Sequence, residues 1–230
     1  MSLPPQPRDA RLRELVVGRG RSAALPPLHV VTDDAVVARD GFVDAADAVI
    51  AAGAADLCLH LRAPGMTGRR LMEMANALRY LVAGRGAWLV VNDRADVALA
   101  AGADGVQVGA RGLTAADARR VMGDARVVGV SVHSADEARE ALDGAPDFLL
   151  VGAIWETPSH PDRAGAGVER IREVAALGVP TVAIGGVTPA RAADARRAGA
   201  AGVAVLRGVW DAPDPAAAVR AYLDFWKERS

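Results

Sequence analysis

Four times an alanine-rich stretch closes on a glycine and passes straight into a short apolar run: Gly53 before residues 54–61, Gly102 before 103–108, Gly144 before 145–151 and Gly199 before 200–206. A glycine just past a helix supplies the left-handed turn that ends it, and an apolar run without alternation suits a parallel strand buried on both faces. Four more such runs, 28–32, 87–92, 126–131 and 180–185, fall between them. The chain therefore predicts eight strands alternating with eight helices at roughly 25 residues per unit, the period of a single-domain α/β fold, the (β/α)8 TIM barrel. In such a barrel the chemistry gathers where the strands end, at their C-terminal rim.

Helical spacing places the eight helices at 40–52, 67–83, 94–101, 114–122, 135–142, 167–176, 189–198 and 215–227. Thr67, Thr114, Ser134 and Thr188 stand where a side-chain oxygen can cap a first turn, and Ser134 with Glu137 has capping-box spacing. Residues 1–27 read as a proline- and arginine-rich tail with one short helix at 10–17, covering the bottom of the barrel; residues 28–230 form the barrel itself.

Composition narrows the function. At 230 residues and 51% hydrophobic, the chain has ample core for one domain without a covalent staple. Its single cysteine, Cys58, lies inside a strand run, so neither a disulfide framework nor a thiolate metal cluster is expected. Residues 1–7 carry prolines where a signal peptide needs an apolar stretch, and no run nears the roughly 20 apolar residues of a membrane span. A cytoplasmic protein with no membrane partner is expected. A net charge of −1, from 27 basic and 28 acidic residues interspersed, offers no single-sign face for nucleic acid. Every basic residue except Lys227 is an arginine, and Lys227 sits in the last helix, so a Schiff-base lysine is excluded.

The predicted rim displays Thr32, Asp33, His60, Arg62, Asn92, Asp93, Gln107, Ser131, His133, Arg207 and several glycines. The sharpest signal is 183–189, AIGGVTP. Gly185 and Gly186 free backbone N–H groups before a helix opened by Thr188 and Pro189, and the seventh and eighth strands of this barrel are a frequent phosphate site. Gly208 supplies a facing amide. His60 and Arg62 follow an alternating run of leucines and are expected to share the face toward the barrel mouth. Arg62 suits a carboxylate or phosphate by bidentate hydrogen bonding, or an ion pair with Asp33 or Asp93. His60 and His133 can move protons near neutral pH. Residues 152–167 form a long glycine- and proline-containing connection with Trp155, Glu156, Thr157 and His160, and read as a lid over a ligand.

These residues taken together, HVVTDD at 29–34, HLR at 60–62, NDR at 92–94, ADGVQV at 103–108, GVSVHS at 129–134, GAIWETP at 152–158 and AIGGVTP at 183–189, resemble the thiamine phosphate synthase/TenI superfamily. The resemblance spans residues 28–210 and implies a small phosphorylated thiazole as ligand, in a monomer or homodimer. Thiamine phosphate synthases join a pyrimidine diphosphate to a thiazole phosphate at a Mg²⁺-pyrophosphate site made of two aspartates and nearby lysines. Asp93 matches the first aspartate. The second falls on Gly112, the two lysines fall on Pro64 and His160, and the pyrimidine-holding glutamine falls on His60.

The TenI-like thiazole tautomerases are matched more closely, by HLR, by VQV without a following aspartate, by SVHS and by WETP, although their catalytic histidine falls on Ala153. The expectation is therefore a TenI-like protein that binds a thiazole phosphate carboxylate and tautomerises it without a cofactor or metal. His133 and His60 are its catalytic residues, and Arg62, Asn92, Ser131, Gly152, Thr157, Gly185, Gly186, Arg207 and Gly208 hold the ligand. Two alternatives stay open: a thiamine phosphate synthase with a reduced Mg²⁺ site at Asp93, and a non-catalytic binding or regulatory module.

Overall fold

A computed structural model describes residues 24–109, 112–157 and 165–227. Eight parallel strands close into a barrel in chain order: β1 Leu28–Val31, β2 Leu57–Leu61, β3 Trp88–Asn92, β4 Gly105–Val108, β5 Val127–Val132, β6 Phe148–Val151, β7 Thr181–Ile184 and β8 Gly202–Val205. β1 pairs with β2 on one side, Leu28 opposite Leu57, and with β8 on the other, Leu28 opposite Val203, so no strand is left with a free edge. The helices are α1 Asp34–Val37, α2 Phe42–Gly53, α3 Gly68–Val82, α4 Ala95–Ala100, α5 Ala115–Met122, α6 Ala135–Ala141, α7 Val168–Ala175, α8 Pro189–Arg197, α9 Arg207–Trp210 and α10 Pro215–Lys227.

Each of the eight strands and eight helices expected of the barrel is present. The short helices α1 and α9 were not expected, because four residues show no period. The strand runs expected from 54, 145 and 200 start later. Residues Ala54–Asp56 instead form a 3₁₀ turn, since alanine favours compact over extended backbone. The helix at 10–17 and residues 1–23 of the tail lie outside the described residues. No described helix is long and apolar enough to cross a membrane.

Two of the four repeat glycines act as expected: Gly102 and Gly199 take φ of 66° and 97°. At the other two the left-handed residue is the alanine that follows, Ala54 and Ala145, with φ of 43° and 47°. There the glycine supplies space rather than a turn. A Cβ on Gly53 would stand 2.5 Å from that of Leu57, and one on Gly144 would press into Ala115. Of the expected caps, Thr114, Ser134 and Thr188 accept a first-turn N–H, whereas Thr67 makes no such bond. The Glu137 carboxylate reaches back one residue beyond the cap, to the His133 N–H at 2.7 Å.

Strand side chains alternate, so every strand serves two cores. Leu57, Leu59 and Leu61 of β2 point outward and pack with Ile50, Leu78 and Leu89 under the helices. Cys58, Trp88, Val90, Phe148, Leu150, Val182 and Ala204 point inward and fill the barrel. The Cys58 thiol is buried and free, pushed well above its usual range by desolvation and by the Asp104 carboxylate, as expected of an inert thiol.

Candidate active site

The inward rows of side chains do not fill the barrel to its C-terminal end. Above them lies a cavity of about 760 Å³ floored by Val31, Leu150, Ile184 and Ala204, in the upper part of the usual range for small-ligand sites. Its walls carry Arg62, Asn92, Ser131, His133, Gly152, Thr157, Gly185, Gly186, Arg207 and Gly208. These are the expected ligand-holding positions together with His133. Asp33, Glu156, Thr188 and Arg191 line it too; the sequence placed the first three at the rim, in the lid and at a helix start without a ligand role, and did not single out Arg191. Arg191 had one visible signal: the TPxR start of α8 places it three residues after its cap, facing back toward the glycine pair.

His60 is not in this cavity. Arg62 reaches the mouth, but His60 sits two residues deeper, about 6–7 Å along the strand. It is fully buried, with its ring 6.3 Å from Phe148. Its Nε2 lies 2.7 Å from Nδ1 of His29, so one ring donates to the other. Burial lowers its pKa to about 4, partly opposed by the neighbouring Asn92 side chain, and His29 is likewise lowered, by burial and by His60. Both are neutral at pH 7 and sealed from a ligand, so the expected catalytic role of His60 is corrected to a packed core pair. Ligand atoms of His29, Cys58 and His60 lie within 4.8 Å of one another. The facing imidazole nitrogens already satisfy each other, and none of the three residues lines the cavity.

Among the described residues three guanidiniums, those of Arg62, Arg191 and Arg207, line the cavity. Those of Arg62 and Arg207 have no hydrogen-bond or carboxylate partner among the described residues, so the alternative of an Arg62 pair with Asp33 or Asp93 does not hold. Asp33 caps α1 instead, accepting from Val36 N–H at 2.8 Å. Thr32 grips both backbone groups of Arg62, accepting its N–H at 2.9 Å and donating to its carbonyl at 3.0 Å, which fixes the root of that side chain. Ser131 accepts from the Gln107 amide at 2.9 Å, leaving its own hydroxyl hydrogen for a ligand.

Gly185 and Gly186 take φ of 96° and 65°, backbone that other residues resist. They also lie under the β6 loop, where a Cβ on Gly185 would stand 2.6 Å from that of Ala153. Both stems of the expected lid are anchored there. Trp155 N–H donates to Gly185 O at 3.0 Å, and Gly167 N–H to Ile154 O at 2.8 Å. His160 and residues 158–164 lie outside the described residues. Tyr222, its hydroxyl pushed up to about 12 by burial, donates to Val187 O at 2.9 Å and steadies the same turn. Trp210 donates to Val31 O at 2.8 Å and holds α9 so that Arg207 and Gly208 face the glycine pair's side of the mouth.

Asp93, the expected metal carboxylate, does not line the cavity. Its Oδ1 lies 3.5 Å from where a Cβ of Gly112 would stand, and glycine brings no second carboxylate to that place. Among the described residues the His29, Cys58 and His60 cluster is the one grouping of three or more ligand side chains. The residues present do not fit a two-aspartate Mg²⁺ site.

Fold and cavity together define a (β/α)8 barrel whose mouth combines guanidiniums that pair with no carboxylate among the described residues and a glycine-pair turn before a helix, a place where this fold frequently binds phosphate. The sequence model of the thiamine monophosphate synthase family matches residues 28–209, and the chain belongs to that family. It is 39% identical to the thiamine-phosphate synthase of Roseiflexus castenholzii over 88% of this chain and 89% of that one. It is 44% identical to that of Xanthobacter autotrophicus over 84% and 92%. Its fold is similar to the thiamine phosphate pyrophosphorylase of Pyrococcus furiosus, with a TM-score of 0.77, 28% identity and coverage of 91% and 97%. These relatives overturn the TenI-like tautomerase expectation and favour the synthase reading that stood second to it.

Proposed function

We propose that this chain is a thiamine-phosphate synthase, joining a pyrimidine diphosphate to a thiazole phosphate with release of pyrophosphate. The observation that carries this reading is the cavity, which presents anion-binding groups on two sides. One side has Gly185, Gly186, Gly208 and Arg207 from the ends of β7 and β8; the other has Arg62 and Asn92 from the ends of β2 and β3. Two substrates that each carry phosphate need two such places, and a volume of about 760 Å³ accommodates both rings.

The glycine side takes the monophosphate, because backbone N–H groups beside a helix start and a guanidinium match its oxygens. Arg62 faces the diphosphate, whose charge grows as it leaves. A guanidinium unpaired among the described residues, rooted at the mouth by the Thr32 bonds to its backbone, stabilises that charge more in the transition state than in the ground state. Asn92 and the Ser131 hydroxyl orient the ring between the two ends. The apolar floor of Val31, Leu150, Ile184 and Ala204 gives the rings a dry surface. Holding both partners in one geometry is itself worth several kcal/mol of barrier.

The test is a two-substrate assay with Mg²⁺ present that follows thiamine phosphate and pyrophosphate together. Equal release of both supports the reading. Binding of both substrates with no joining overturns it.

A further inference from the structure

The Thr188–Pro189 start of α8 fixes Arg191 at the third helical position, where its N–H donates to the Thr188 hydroxyl at 3.3 Å. From there the side chain turns back to the cavity. Its Nη1 donates to the Gly186 carbonyl at 2.7 Å, and its guanidinium carbon stands 5.4 Å from the centroid of the Trp155 ring. One of five N–H donors and one face of the cation are thereby used, and no carboxylate among the described residues pairs with the rest. In the helical shell, by contrast, Arg120, Arg139, Arg172 and Arg197 are each paired with a carboxylate three residues away. A half-buried guanidinium held in place by a carbonyl and a tryptophan, on the wall of a cavity, has its remaining donors arranged before any ligand arrives.

We propose that Arg191 is a phosphate-binding and positioning residue for the monophosphate end of the thiazole substrate, a role that rests on the synthase reading above. It contributes in two ways. Its free N–H edge bonds the phosphate oxygens directly. Its grip on the Gly186 carbonyl also sets the plane of the Gly186–Val187 peptide, whose N–H must point opposite to that carbonyl. Stacking on Trp155 joins the β6 loop to the same cation, so phosphate, glycine pair and loop stem are ordered as one unit.

The test compares wild type with R191Q and R191K in two measurements. The first is calorimetric binding of inorganic phosphate, which requires no turnover. The second is KM for each substrate separately. A charge-assisted hydrogen bond to phosphate is worth about 10- to 100-fold in affinity. R191Q should weaken inorganic phosphate by about that factor and raise KM for the thiazole phosphate alike, with KM for the pyrimidine diphosphate within about threefold. R191K, which keeps charge but loses the planar fork, should recover part of the loss. Unchanged phosphate affinity in both variants, or equal rises in both KM values, overturns the assignment. If wild type makes no thiamine phosphate while R191Q still weakens phosphate binding, the synthase reading and the thiazole role fall with it, and Arg191 stands only as a phosphate-binding residue.

Discussion

The arginines of the helical shell and those of the barrel mouth are chemically identical and are used in opposite ways. In the shell, Arg119 meets Asp147 in a pair whose side chains are only 14% and 13% exposed, and Arg39, Arg85 and Arg94 each hold an aspartate. At the mouth, Arg62, Arg191 and Arg207 face the cavity with no carboxylate partner among the described residues. A charge already neutralised inside the protein stabilises the fold or nothing. A charge held without a partner in a shaped cavity is available to an anion. The contrast separates structural from functional cations in a chain whose composition makes arginine uninformative.

The largest expected effect lies at the mouth. Arg62→Ala and Arg207→Ala should each lower kcat/KM for thiamine phosphate formation by about 100-fold or more, on the scale of losing one oriented charge-stabilising donor. Their urea midpoints should stay near wild type. A mouth arginine whose removal unfolds the protein while sparing kcat/KM breaks the contrast.

In the shell the balance reverses. Arg119 also donates to the carbonyls of Gly123 and Arg126, so Arg119→Ala takes the cation away from the largely buried Asp147, which still accepts from Val128 N–H, and should cost about 3 kcal/mol in urea unfolding, with KM values unchanged.

The buried histidines sharpen the picture one layer below. His60 has a folded pKa of about 4 against 6.5 unfolded. The unfolded chain therefore binds the extra proton first as pH drops. Stability is full above about pH 6.5 and is lost as pH falls toward 4, on the order of 3 kcal/mol across that window. Denaturation curves at stepped pH should show at least this slope, and His60→Gln should reduce it to the share of the buried His29. The smallest effect is expected for Arg172→Ala, which removes an exposed i,i+3 pair with Glu169 and should shift stability by about 0.5 kcal/mol or less.

The rim assignments show how far residues could be read in advance. Arg62, Asn92, Ser131 and the glycines were legible because each directly follows an apolar run, and strand ends are where a barrel exposes polar groups. His60 misled because alternation gives the face but not the depth. An inward residue two positions before the mouth belongs to the packed core. The reaction misled for a related reason. The absences at Gly112, Pro64 and His160 were visible as single positions, whereas cations gathered from β8 and α8 become neighbours only on closure. Residues far apart in sequence, Arg62 and Arg207 above all, come to line one cavity because the barrel closes through the β1–β8 pair.

What the amino-acid sequence determined by itself is the barrel, its strand order and the glycine pair. These depend on local rules: helix-ending glycines, apolar runs buried on both faces, and short connections. What only the tertiary structure decided is which polar groups remain unpartnered. Whether an arginine is neutralised depends on what closure of the sheet and packing of the helices bring within about 4 Å of it, and no local pattern carries that distance.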